Sequence, residues 1–146
     1  MSSLTSNKLK ELLWLKIIDG ENDVFKIALM DDGFTFNLVT HNTYADISAF
    51  EFANGSGYTT GGNTLAGHTV TKDDTNHAGI LSFNNTTWTM SGADLAVVGA
   101  IIYDDTVAAP VADPVIAYID FDGLLTTYDG GVFTVANISV SIFDRV

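Results

Sequence analysis

A chain of 146 residues, 47% of them apolar, is long enough to bury one substantial core, and the absence of cysteine excludes disulfides and thiolate metal sites as its supports. The net charge of −12 lies wholly beyond residue 26: the first 26 residues set four lysines against four carboxylates, and the rest sets Lys72 and Arg145 against fourteen. Such a body repels phosphate backbones and anionic lipid, so no nucleic acid and no membrane is expected among its partners; a crowded, many-copy setting or a basic partner surface suits it better.

The first expected element is a helix over residues 6–19. Leu9, Leu12, Leu13 and Ile17 recur at helical spacing, Trp14, Leu15 and Ile18 widen the stripe, and Gly20 stands where a left-handed residue would end it. So broad a stripe needs a cover, either the chain's own sheet or a neighbouring subunit. Glu11 and Lys16 interrupt the same apolar run, so it does not read as a secretory signal, and no stretch is long enough to span a bilayer. Synthesis in a cytoplasm is the expectation.

Strand patterns follow. In 24–30, Val24, Lys26 and Ala28 alternate with Phe25, Ile27 and Leu29, and Asp31-Asp32-Gly33 signals a turn; 34–39 continue that strand or form a short bridge. Residues 41–45 read as loop and 47–52 as another strand. The glycine- and serine-rich stretch 53–63 around Tyr58 calls for positive backbone angles. Short strands are then expected at 65–72, 80–83, 86–90, 132–136 and 138–143, separated by Gly, Asn and Asp.

The most informative stretch is 95–122. Both alternating sets of 95–103 are apolar, as in a central strand covered on two faces. Residues 115–122 place Val115, Ala117, Ile119 and Phe121 on one side and change from Ile116 and Tyr118 to Asp120 and Asp122 on the other. Between them Asp104, Asp105, Pro110, Asp113 and Pro114 break the ladder into a hairpin. The whole pattern argues for a mainly β chain: an antiparallel β-sandwich of jelly-roll type with one N-terminal α-helix. It forms a single domain over 1–146, the helix within 1–20 and the β body over 21–146.

Catalytic and metal chemistry find little support. His41, His68 and His77 lack the close spacing of zinc ligands, and Asp31-Asp32, Asp73-Asp74 and Asp104-Asp105 lack the spacing of an EF-hand loop and read as turns. Gly55-Ser56-Gly57 is too short for a nucleophile elbow, and Gly61-Gly62 has no phosphate-loop lysine. Tyr44, Tyr58, Trp88 and Tyr128 are candidates for stacking on sugars, although packing is the commoner fate of such rings.

The order KLKELLWLKIIDG, VFKIALMDDGFTFN, YADI, GSGYTTGGNTLAG, TTWTMSGADLAVVGAIIYDD, PVIAYIDFD and GGVFTVANISVSIF resembles a family of small tailed-bacteriophage virion proteins over nearly the whole chain. The segment DDTNHAG and the terminal FDRV depart from it. The resemblance implies a structural role without catalysis. Together with the missing cysteines, the Thr and Gly content and the acidic body, it leads to the expectation of a capsid decoration (cement) protein on the outer surface of the head, without cofactor or metal, with the major capsid protein as partner and a homotrimer as the assembly. The competing reading is a tail or tail-fibre receptor or carbohydrate-binding module. Expected subunit or capsid contacts are Leu9, Leu12, Leu13, Trp14 and Ile17 of the helix and the small residues Ala108 and Ala109 of the hairpin loop.

Overall fold

The structure, a computed structural model, describes residues 2–143; Met1 and residues 144–146, Arg145 and most of the FDRV terminus among them, lie outside the described residues. In chain order it runs β1 (Ser2–Thr5), α1 (Asn7–Trp14), β2 (Phe25–Asp31), α2 (Tyr44–Ile47), a 3-10 turn (Ser48–Phe50), β3 (Asn63–Thr64), β4 (Thr69–Asp73), β5 (Ala78–Ser82), β6 (Thr86–Thr89), β7 (Ala96–Asp104), β8 (Val115–Thr126), β9 (Val132–Val135) and β10 (Ser139–Phe143). The strands form a five-stranded sheet in the order β1-β8-β7-β2-β3, a three-stranded sheet β10-β5-β4 and the pair β6-β9, and all these pairings are antiparallel. The mainly β, antiparallel expectation holds, with two helices instead of one.

β7 is central and covered on both faces, as its doubly apolar sequence requires. Val97, Ala100 and Ile102 share one core with Phe25, Ile27 and Leu29 of β2, and α1, the three-stranded sheet and the β6-β9 pair close it with Leu9, Leu12, Val140, Trp88 and Val135. Ile101 and Tyr103 share a second core with Ala28 and Met30, covered by Phe34, Phe36, Tyr44, Ile47 and Phe50 from the segment after β2. The five-stranded sheet is thus the middle layer of three.

β8 departs from strict alternation. Ile102 pairs with Ala117 but Tyr103 with Val115, so Ile116 is an extra residue. This bulge turns Val115 into the second core and puts Ile116 beside Ala117 and Ile119 in the first, reversing the faces expected for Val115 and Ile116.

Three further expectations need correcting. The helix ends at Trp14, not near Asp19, because Lys16 takes the left-handed conformation (φ 57°) that Gly20 was expected to supply. Its N–H donates to the Leu13 carbonyl and that of Ile17 to the Leu12 carbonyl, a Schellman cap sealed by the packing of Ile17 and Leu12 into one core. Residues 47–52 are not a strand: α2 and the 3-10 turn occupy 44–50, and only Glu51 bridges to Met30. Asp46 starts that helix, its carboxylate accepting from the Asn42 and Thr43 N–H groups and the Thr43 hydroxyl at 2.9 to 3.1 Å. Finally, 34–39 contain no strand, whereas the unanticipated β1 pairs Ser2 through Thr5 with Asp120 through Ala117.

Ser6 joins this edge to the helix. Buried completely, it accepts the Leu9 N–H on its hydroxyl at 3.0 Å as the N-cap of α1 and donates the same hydroxyl to the Val115 carbonyl at 2.6 Å.

Candidate functional site

The contact residues expected on α1 divide by helical phase. Leu9 and Leu12 point inward and are buried in the chain's own core, Ile17 packs against it, and Leu13 and Trp14 turn outward. Trp14 is 90% exposed, and Leu15 beside it is more than half exposed. Leu13 lines an apolar cleft of about 180 Å³ with Val70, Ile80 and Ile142 of the three-stranded sheet. Ile142 also lines a second cleft of mixed polarity, with Ser3, Lys10, Leu4, Leu38 and Phe143, on the Lys10 side of the helix.

Ala108 and Ala109 lie exposed in the β7-β8 loop. That loop is braced from beneath: Val107 is buried, the Asp113 N–H donates to the Val107 carbonyl at 2.9 Å, and Lys26 pairs with Asp105 at 3.0 Å. Asp104 anchors its start, with Oδ1 accepting from the Thr106 and Val107 N–H groups at 2.8 and 3.3 Å. Its Oδ2 is buried without a donor, and Asp23 is the carboxylate beside it. Burial foremost, aided by Asp23, pushes the Asp104 carboxyl up to about 7 against the pull of those two N–H groups.

Sequence reasoning missed a second polar cluster. Glu51 Oε1 accepts from the Tyr58 hydroxyl at 2.6 Å and the Gly61 N–H at 2.7 Å, and Oε2 accepts from the Tyr44 hydroxyl. Tyr58 in turn accepts from the Leu29 N–H at 3.0 Å, and Tyr103 donates to the Gly61 carbonyl at 2.7 Å. Burial, then the hydrogen bond to Glu51, drives the Tyr44 and Tyr58 hydroxyls far above the ordinary phenol range. These groups keep their protons and serve as donors, so the cluster clasps the glycine-rich loop to β2. Gly62 shows why that loop is glycine-rich: at φ 73° a Cβ would stand 1.9 Å from the Ile27 carbonyl oxygen. The signal available in the sequence was three tyrosines and one glutamate around a Gly-Gly turn.

The other chemical candidates scatter. His41 Nδ1 accepts from the Asn37 N–H and its ring stacks on Phe34, His68 contacts the Glu21 carbonyl, and His77 sits in the β4-β5 turn. The first member of each aspartate pair closes a turn on the N–H two residues on: Asp31 with Gly33, Asp73 with Thr75, Asp104 with Thr106. Among the described residues no group of three or more His, Cys, Asp or Glu side chains gathers to hold a metal ion, and no helix is long and apolar enough to cross a membrane. Of the four aromatics considered for sugar stacking, Tyr58 and Trp88 are buried, Tyr44 is held by Glu51, and Tyr128 is 69% exposed.

Set against family models, curated proteins and solved structures, the chain matches none of them.

Proposed function

We propose that this chain is a structural component of a bacteriophage virion, specifically a capsid decoration (cement) protein that binds the outer surface of the head. The observation that carries the reading is its exposed apolar surface: Trp14, Leu15, Val70 and Phe143 around α1, and Leu124, Tyr128 and Val132 at the far end of β8. A chain this small that holds so many large apolar groups in water is built for contact with other subunits. The acidic body suits a protein present in many copies. The resemblance described above supplies the virion; the major capsid protein is then the partner, the braced Ala108-Ala109 loop one contact, and a homotrimer the assembled state. A sandwich of jelly-roll type belongs to the same proposal and rests on face-to-face antiparallel sheets, although five, three and two strands are not the pair of equal sheets that such a fold stacks. With a single exposed aromatic among its sugar-stacking candidates, the chain favours this reading over a fibre-borne carbohydrate module.

Co-sedimentation of the purified chain with undecorated heads and, separately, with isolated tails tests the proposal. Saturable binding to heads is expected, and replacing Ala108 and Ala109 by serine weakens it while the isolated variant melts like the parent. Binding confined to tails, or to neither particle, overturns the reading.

A further inference from the structure

The exposed apolar surface is divided between two places, and their charges differ. The first surrounds the end of α1: Trp14, Leu13 and Leu15, with Val70 and Ile142 across the cleft. The second surrounds the end of β8, where Leu125, Tyr128 and Val132 line a hollow with Met90 and Phe133, and Leu124 adjoins it. α1 crosses β8 at Ile116, whose carbonyl accepts the Ser6 N–H; the adjoining Val115 pairs with Tyr103 and Leu125 with Val97, six residues along β7, so roughly 20 Å of sheet separates the two points.

Among the described residues, lysines outside any ion pair lie only beside the first patch, which Asp19 also borders. Lys8, Lys26 and Lys72 are engaged with Glu11, Asp105 and Asp74, whereas Lys10 and Lys16, on α1 and its cap, enter no ion pair among the described residues. The second patch is flanked by Asp94 and Asp129, both exposed and in no ion pair among the described residues. Asp94 is brought there because Leu95 exchanges hydrogen bonds with Thr127: its N–H donates to Thr127 Oγ1 and its carbonyl accepts the Thr127 N–H, both at 2.9 Å. One chain therefore carries two apolar patches, one with lysines beside its exposed tryptophan and one with aspartates at its rim, none of these in an ion pair among the described residues.

We infer that the α1 patch of one copy docks on the β8-β9 patch of another. The occupant is a second copy of this chain because an acid-rimmed apolar hollow and a lysine-rimmed apolar knob occur on the same molecule, with Trp14 as the protruding anchor. Two different surfaces in contact make a heterologous interface, which repeats until it closes into a ring or runs on as a filament. The inference goes beyond the virion reading and stands without it, since it requires no head.

Sedimentation velocity from about 1 to about 200 µM tests it, since contacts of this kind span that range. Wild-type chain is expected to associate with rising concentration, and less so in high salt. Trp14→Ser, Lys10→Glu with Lys16→Glu, and Asp94→Lys with Asp129→Lys should each weaken association at least tenfold. Mixing the two charge-reversed variants should restore it, as should combining all four substitutions in one chain. A wild-type chain that stays monomeric throughout overturns the inference. So does association that the charge reversals leave unchanged or that mixing fails to restore.

Discussion

The ring of Tyr118 lies across the backbone of Gly99. A Cβ added at Gly99 would stand 2.4 Å from Tyr118 Cε2 and 2.5 Å from the Ile119 carbonyl oxygen, so the central strand carries a glycine where the neighbouring strand's aromatic takes the space. Tyr118 pairs in register with Ile101 and leans back until its hydroxyl reaches the Val98 carbonyl at 3.4 Å. Gly99→Ala is expected to cost about 1 to 3 kcal/mol by overpacking, against about 2 to 5 for the cavity left by Ile101→Ala on the same face. Thermal melting compares them; a Gly99→Ala variant that melts like the parent would mean the ring swings away freely.

Lys16 offers a change in the opposite direction. Its left-handed backbone is strained for any side chain, while the capping bonds it enables do not depend on what that side chain is. Lys16→Gly should therefore stabilise the fold by about 0.5 to 1 kcal/mol, the relief of strain exceeding glycine's greater freedom in the unfolded chain. Chemical denaturation of the dilute, monomeric chain checks the sign.

Stability should fall from mildly acidic to neutral pH because of Asp104. Folded, its carboxyl holds its proton up to about 7; unfolded, it releases it near the ordinary aspartate value. In that interval the folded state binds more protons, so its stabilisation is complete below the unfolded value and is lost as pH rises toward 7. Asp19, Asp46 and Asp73 act oppositely: hydrogen bonds hold them below the ordinary aspartate value, and for Asp46 the Thr43 and Asn42 donors outweigh burial, so their contribution disappears as acid protonates them. Asp104→Asn should flatten the decline between about pH 4 and 7 and leave the acid limb in place. A decline that persists in this variant assigns it to another group.

Chelation should leave the melting temperature unchanged. Asp31, Asp73 and Asp104 already spend an oxygen on turn N–H groups, and an ion held by these pairs would contribute stability that a chelator removes. Calorimetry with and without chelator reads this directly, and a clear drop would make the aspartate turns cation sites.

The legible parts of the sequence were those where burial alone decides conformation. Residues 95–103 are apolar on both alternating sets and are the doubly covered β7; Pro114 stands just before β8, where its missing N–H costs nothing. Illegible were places where one hydrogen bond overrides pattern. Alternation in 47–52 suggested a strand, but Asp46 caps a helix three residues after Thr43, a spacing that was readable. The helix end was hidden because lysine seldom takes a left-handed angle, and the faces of Val115 and Ile116 were hidden by a bulge set by the partner strand. Of the expected contact residues, Leu9 and Leu12 were legible as apolar but not as inward-facing, since an eight-residue helix buries a narrower stripe than the fourteen-residue one expected.

β1 gives the chain an unusual order of assembly. Its partner is β8, so Ser2 through Thr5 wait for Asp120 through Ala117 to be made before they can pair. At ordinary rates of translation that delay is on the order of ten seconds. Throughout it Leu9 and Leu12 have no core to enter, because Ile116, against which the helix sits, has yet to emerge. A segment made more than a hundred residues before its partner strand is therefore among the last to fold, and its apolar stripe is the surface a chaperone would meet.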